Sequence, residues 1–549
     1  MSLPGRTGPH RRVLLGGRIV TMDAASPDAE ALAIEGDRVL AAGTAESVLA
    51  AAGPGAERLD LDGATVVPGL IESHVHPTFF GLTRSWVDCR SPGRASIADI
   101  VAALAERARS GGGEWIQGFG YDDTLLADQR HPGRADLDRA SAQVPIVITH
   151  ISGHFAVANS AALARAGVTR DTADPEDGRF VRDGSGQPTG LLWELGAVRH
   201  VTTRVPPPSP ADLRDATVDA LRYAVAHGIT TVHDMAAGIH GGPGVLGIYR
   251  ELAGESRLPV RVRGFLSGEL LDDYLAGDGP AADGPAADGA AGGSADWFRL
   301  TGVKYWADGS IQGLSAALTE PYSCRDDSTG ELNYTQDRFR AMVSRAHRAG
   351  FQVAIHTNGD RAVDAALDAL SSAMAAHPRP GPRHRLEHVQ VVHPRQLDRM
   401  RDLGINASFF INHVYFWGDR HRDRFLGASR AAAMDPLATA ARAGLRFGLH
   451  SDCPITPMDP LLTWWAAVNR RTSGGAELGP DERIGVWAAL AALTRDAAYL
   501  TGDEHRLGSL RAGSLADLVV LDGDPAADDG ARIRSLPVRQ VMVGGRFAE

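Results

Sequence analysis

Between His76 and Ser451 the chain alternates short apolar runs with amphipathic stretches, and this alternation constrains the fold most. Strands are read as ending near His76, Asp234, Phe265, Trp306, His356, His388, Phe409 and Ser451. Helical stretches fall between several of them, at Asp212–His227, Asp337–Arg348, Arg361–His377, Pro394–Leu403 and Ala431–Ala443. Eight strands alternating with helices is the count of an α/β fold of the (β/α)8 barrel type. The stretch of about 82–204 after the first strand is too long for one loop-helix unit. It reads as an inserted subdomain at a strand C-terminal end, over the barrel mouth. Outside the barrel (68–504), the segments 1–67 and 505–549 carry short alternating runs broken by Gly-Gly and Asp-Gly turns. Neither buries a sheet face alone, so the two are expected to form one composite β-sandwich. A Gly/Pro-rich stretch at about 276–297, with the direct repeat "DGPAADGPAADG", reads as a flexible surface loop.

In such a barrel the reactive residues stand at the C-terminal strand ends. Five ends carry unusual side chains: "ESHVHP" (His74, His76), "VKYWADGS" (Lys304), "VAIHTNGD" (His356), "RLEHVQ" (His388) and "LHSDCP" (Asp452). On a strand His74 and His76 share one side. Each residue alone has an ordinary explanation: a backbone-bonded histidine, a lysine reaching solvent, an aspartate in a turn. Four imidazoles, one carboxylate and one lysine at one barrel mouth instead make a metal site.

The net charge of -11 argues against nucleic acid or an anionic membrane as partner. No run approaches the roughly 18 apolar residues of a membrane span, and no secretory leader is read. Three scattered cysteines fit a reducing compartment, so a cytoplasmic protein is expected. A homodimer is the base-rate expectation.

"PGLIESHVH", "VKYWADGS", "HTNGDRAVD", "RLEHVQ", "LHSDCPITPMDPL" and the late "GSLADLVVLDGDP" together resemble the amidohydrolase superfamily, specifically its YtcJ-like branch (amidohydrolase family 3), whose members include N-substituted formamide deformylase. The resemblance implies that His74 and His76, with Asp452, bind the more buried of two divalent metals. His356 and His388 would bind the more exposed one. Lys304, N6-carboxylated, would bridge them; zinc suits the donors best, and one or two ions per chain are implied. The implied activity is hydrolysis of a non-peptide C–N bond in a small-molecule amide, with Asp452 handling the proton. An aminohydrolase acting on an amidine-like or heterocyclic carbon is the alternative. A scaffold without activity is disfavoured, because all six positions hold ligand-competent residues.

Around this set, "THISGHFAVANSAAL" offers His154 either as a donor to substrate oxygen or as a cap of its own turn. Tyr121, with Asp122 and Asp123, is placed on a pocket rim, and Trp193 with Glu194 in a lid. His413, Tyr415, Phe416 and Trp417 either wall an apolar pocket or pack beneath a loop. His233 and Asp234 are expected behind the ligands, and Cys453 in packing. His450 is expected to point away from Asp452, in a structural role. Asp360 is read as the cap of the helix after His356.

Overall fold

The computed structural model describes residues 10–111, 113–277 and 293–548. Its centre is an eight-stranded parallel sheet rolled into a nearly closed barrel. The strands are β1 (Leu70–Val75), β2 (Ile229–Ala237), β3 (Arg261–Ser267), β4 (Phe298–Trp306), β5 (Gln352–Thr357), β6 (Arg385–His388), β7 (Asn406–Phe409) and β8 (Phe447–Leu449). They neighbour one another in chain order, as βα units wound in one direction require. Nearly every strand residue is buried, because helices cover the outside and side chains fill the inside. Side chains help close the seam between β1 and β8. Ser451 donates its amide to Glu72 Oε1 (3.0 Å) and its hydroxyl to Oε2 (2.9 Å), and Ser73 donates to the Leu449 carbonyl (2.9 Å).

The α/β reading with an insertion and a composite sandwich therefore describes the molecule. Strands Leu518–Leu521 and Val538–Val543 join Thr65–Pro68 and Arg18–Val20 in one mixed sheet, facing a second sheet built from residues 11–60. Leu14, Ile34, Val66, Leu518 and Met542 meet in the core between them. The insertion builds its own six-stranded sheet, with Ile116–Tyr121, Ile146–His150 and Phe155–Ala158 at its centre. Apolar clusters fill both of its faces.

Two local expectations fail. The helix read over Ala431–Ala443 is two, Gly427–Ala432 and Leu437–Arg442. The break lies at Asp435, φ 46°, before Pro436, whose ring disfavours helical backbone in the residue ahead of it. Asp360 does not cap its own helix: it is the first helical residue after Gly359, and its carboxylate accepts from the Thr319 amide (2.8 Å) and meets His393 Nε2 at 3.0 Å. Of the stretch read as a loop over 276–297, residues 278–292 lie outside the described residues, while Ser294–Trp297 form a helical turn. Among the described residues no helix is long and apolar enough to cross a membrane.

Candidate metal centre

His74, His76, Lys304, His356, His388 and Asp452 come together around one small chamber at the C-terminal ends of the barrel strands. His74 is fully enclosed, and its Nδ1 meets Glu387 Oε2 at 2.7 Å. Glu387 is held in turn by the Arg385 fork, Nε to Oε1 at 2.5 Å and Nη2 to Oε2 at 2.9 Å. That chain turns His74 Nε2 toward Asp452 Oδ1, 3.3 Å away, and toward Lys304 Nζ at 3.4 Å. His76 Nε2 lies 3.2 Å from the same Asp452 oxygen. Apart from these imidazole contacts, Asp452 Oδ1 is buried without a hydrogen-bond partner. Ligand atoms of a tetrahedral ion with bonds of about 2.0–2.1 Å stand about 3.3 Å apart. These three donors fit a divalent metal.

The electrostatics suit the same role. Burial, reinforced by the Lys304 charge, pushes His74 well below the ordinary imidazole range. Burial does the same to His356 and His388, so all three present neutral rings, the ligating form. Burial also lowers the Lys304 amine to about 8. The rings of His356 and His388 are 4.5 Å apart, and His388 lies 4.8 Å from His74, while His356 Nε2 meets the Gly309 carbonyl at 3.0 Å.

His154 lines the chamber, with its ring 5.0 Å from that of His356. Burial alone would lower its pKa, but Glu194, whose Oε2 is 2.7 Å from His154 Nδ1, outweighs burial and holds the pKa above the ordinary value. Glu194 thus favours the protonated form of the ring that faces the chamber.

The other expected pocket residues lie elsewhere. Tyr121 is enclosed within the insertion, its hydroxyl 3.1 Å from His131 Nδ1. Trp193 packs on Phe155 beneath Arg179. His413 packs on Phe410, its Nδ1 3.7 Å from Asp435. Tyr415 faces Trp465 and Phe416, and Trp417 points Nε1 at Asp122 Oδ2, 3.4 Å away. Trp417 thus reaches from the barrel to the insertion, the others pack within one unit or the other, and none of them lines the chamber. His233 stands behind the ligands, its Nδ1 accepting from Arg385 Nη1 at 3.1 Å.

His450 is placed differently from its expectation. Strand β8 ends at Leu449, and the His450 ring turns inward, stacked on His74 (4.6 Å) with Nε2 3.2 Å from His388 Nδ1. Residues two apart share a side in extended chain, which is the signal that would have grouped it with Asp452. Glu387 and Arg385 were likewise missed, although three ionisable side chains in one four-residue buried strand already ask for partners.

The chamber, about 70 Å³, opens into a larger cavity of about 960 Å³ between the insertion and the barrel. Both are lined by Phe79, Gly153, Leu195, Ile239 and His240. Phe79 and His240 stack at 4.0 Å between the two spaces.

Comparison with known proteins agrees with this geometry. The sequence pattern of an amidohydrolase family (Amidohydro_3) matches residues 57–548. Protein LONG AFTER FAR-RED 3 of Arabidopsis thaliana is 31% identical over 97% of this chain and 91% of its own length. N-substituted formamide deformylase of Arthrobacter pascens is 29% identical over 97% of both. The crystal structure of an uncharacterized metal-dependent hydrolase from Pyrococcus horikoshii OT3 superposes with a TM-score of 0.75 at 25% identity, covering 95% of this chain and 99% of that one. With a family pattern running through both the sandwich and the barrel, and the barrel mouth carrying donors fit for a divalent metal, the chain belongs to the amidohydrolase family.

Proposed function

We propose that this metal-dependent hydrolase cleaves a non-peptide C–N bond of a small-molecule amide. The observation that carries the reading is the convergence of His74 Nε2 and His76 Nε2 on Asp452 Oδ1, with Lys304 beside them. His74, His76 and Asp452 would hold one ion, zinc by donor type, and His356 and His388 a second. Lys304, enclosed and easily neutralised, would bridge them as a carbamate. When bound, such an ion supplies Lewis acidity and water acidic enough to attack at neutral pH.

The chain's own residues do the rest. His154, whose protonated form Glu194 favours, donates a hydrogen bond to the substrate carbonyl oxygen. Asp452 takes a proton from the attacking water and returns it to the leaving nitrogen. Glu387 fixes the tautomer of His74, so that its ligating nitrogen faces the chamber.

The test is product analysis with zinc-loaded protein on N-substituted formamides, acetamides and amino-heterocycles. Formate or acetate should appear, and Asp452→Asn should lower kcat by about 10²–10⁴-fold while the protein stays folded. Wild-type rates in that variant would sink the mechanism. Ammonia from heterocycles alone would replace amide cleavage with aminohydrolysis.

A further inference from the structure

Behind His388 a row of polar groups crosses the inside of the barrel. His388 Nδ1 lies 3.2 Å from His450 Nε2, and His450 Nδ1 lies 2.8 Å from Ser408 Oγ on β7. Ser408 Oγ is 2.8 Å from Ser73 Oγ on β1, and Ser73 ends the row 2.9 Å from the Leu449 carbonyl oxygen of β8. Ser73, Ser408 and His450 are fully enclosed.

The direction of every bond in the row follows from its last member. A carbonyl oxygen only accepts, so the single hydroxyl proton of Ser73 points at Leu449. Ser73 Oγ then accepts from Ser408, which commits the single proton of Ser408. Ser408 Oγ accepts in turn from His450 Nδ1–H. A neutral imidazole with one nitrogen protonated has the other bare, so His450 Nε2 accepts from His388 Nδ1–H. That leaves Nε2 of His388 as the bare nitrogen of a ring that lines the chamber.

Packing alone does not call for such a row. Alanine would fill positions 73 and 408 without the desolvation cost that a hydroxyl carries unless it is bonded. Gly448, paired with Ser408 in the register of β7 and β8, makes room for it: a Cβ there would stand 2.8 Å from Ser73 Oγ.

We propose that His450 is a positioning residue. Backed by Ser408, Ser73 and the Leu449 carbonyl, it fixes the proton of His388 on Nδ1 and so keeps Nε2 bare toward the chamber. The use of that bare nitrogen by a metal rests on the reading of His388 as a ligand above.

The experiment locates ring protons by 15N–1H NMR on the full chain labelled with 15N-histidine, first stripped of metal by a chelator and then loaded with zinc. The His388 and His450 signals are identified by their loss in His388→Gln and His450→Gln. Without metal, both rings of the wild type should be protonated on Nδ1 alone. Ser408→Ala removes the acceptor of His450 Nδ1–H, and both rings should swap to the Nε2–H form. His450→Leu should leave His388 in a mixture of the two forms. His450→Gln, whose amide oxygen still accepts, should restore Nδ1–H on His388. In chelator competition Ser408→Ala and His450→Leu should each weaken zinc binding by about 10–100-fold, with His450→Gln closer to wild type.

Several variants are compared because each alone risks misfolding, and the wild-type spectrum decides if none folds. His388 protonated on Nε2 in the wild type, a doubly protonated His450, or ring protons that stay in place in the folded Ser408→Ala and His450→Leu variants overturns the proposal. Protons that move as stated, with zinc affinity unchanged, keep the positioning role of His450. That outcome discards His388 as a metal ligand instead, which is a failure of the metal reading alone.

Discussion

The candidate centre depends on how single residues are aimed. His74 binds through Nε2 only if Nδ1 is occupied, and Glu387, clamped by Arg385, occupies it. Replacing Glu387 by Gln keeps an acceptor but removes the charge, leaving the enclosed Arg385 guanidinium without its counter-ion. Metal affinity should fall by about 10–100-fold, read by competition with a chelator, and unchanged affinity would mean that Glu387 does not orient His74. The sequence displayed all six expected donors, because strand-end position and residue type are legible in one dimension. It did not display their aim. His388 and Asp452 both take left-handed backbone, φ 67° and 54°, which period-two alternation does not anticipate. That turn brings His388 into the same chamber as His74, although Glu387, one residue earlier, also contacts His74.

At the scale of elements, a buried carboxyl, Glu72, takes part in closing the barrel seam. Burial pushes Glu72 up to about 8 from an ordinary 4.5, although its contacts with Ser451 pull the other way. Between pH 4.5 and 8 the folded chain therefore holds a proton that the unfolded chain has released. The unfolded state binds fewer protons, so this group's contribution to stability falls as pH rises through that window. Glu72→Gln keeps the shape and removes the titration. Its stability relative to wild type should improve by about 1–2 kcal/mol from pH 6 to pH 8, followed by denaturant unfolding. A constant difference across that range would show that Glu72 is ionised in the fold. The pairing it supports was only partly legible. Strand count and order followed from alternating apolar runs, and the insertion from an overlong connection. The fracture at Asp435–Pro436 carried a local signal, since a proline restrains the residue before it. Closure by Glu72 and Ser451 carried none, because the partners are 379 residues apart.

For the whole molecule, the linkage between sandwich and barrel is ionic as well as apolar. Strand Leu518–Leu521 pairs with Thr65–Pro68, which runs almost directly into β1, so the C-terminal segment supports the approach to His74 and His76. Beneath the barrel, Asp503 gathers Arg263 of β3 (2.6 Å), Arg299 of β4 (3.0 Å) and Arg506 (2.9 Å). Arg261 of β3 reaches Asp517 at 2.7 Å. Burial alone would raise the Asp503 carboxyl, but the Arg263 and Arg299 charges overwhelm it and hold the group far below the usual range. Three guanidiniums share one enclosed carboxylate, so its loss leaves like charges together in a medium that solvates them poorly. Asp503→Asn should cost about 3–5 kcal/mol, seen as a lower denaturant midpoint with an unchanged slope. Because Asp503 contacts none of the candidate ligands, the variant that remains folded should bind zinc with wild-type stoichiometry. A loss below about 1 kcal/mol would mean that water reaches this cluster and screens it as it screens surface pairs. Loss of zinc from folded protein would mean instead that the network beneath the barrel holds the strand ends in register for the centre above it.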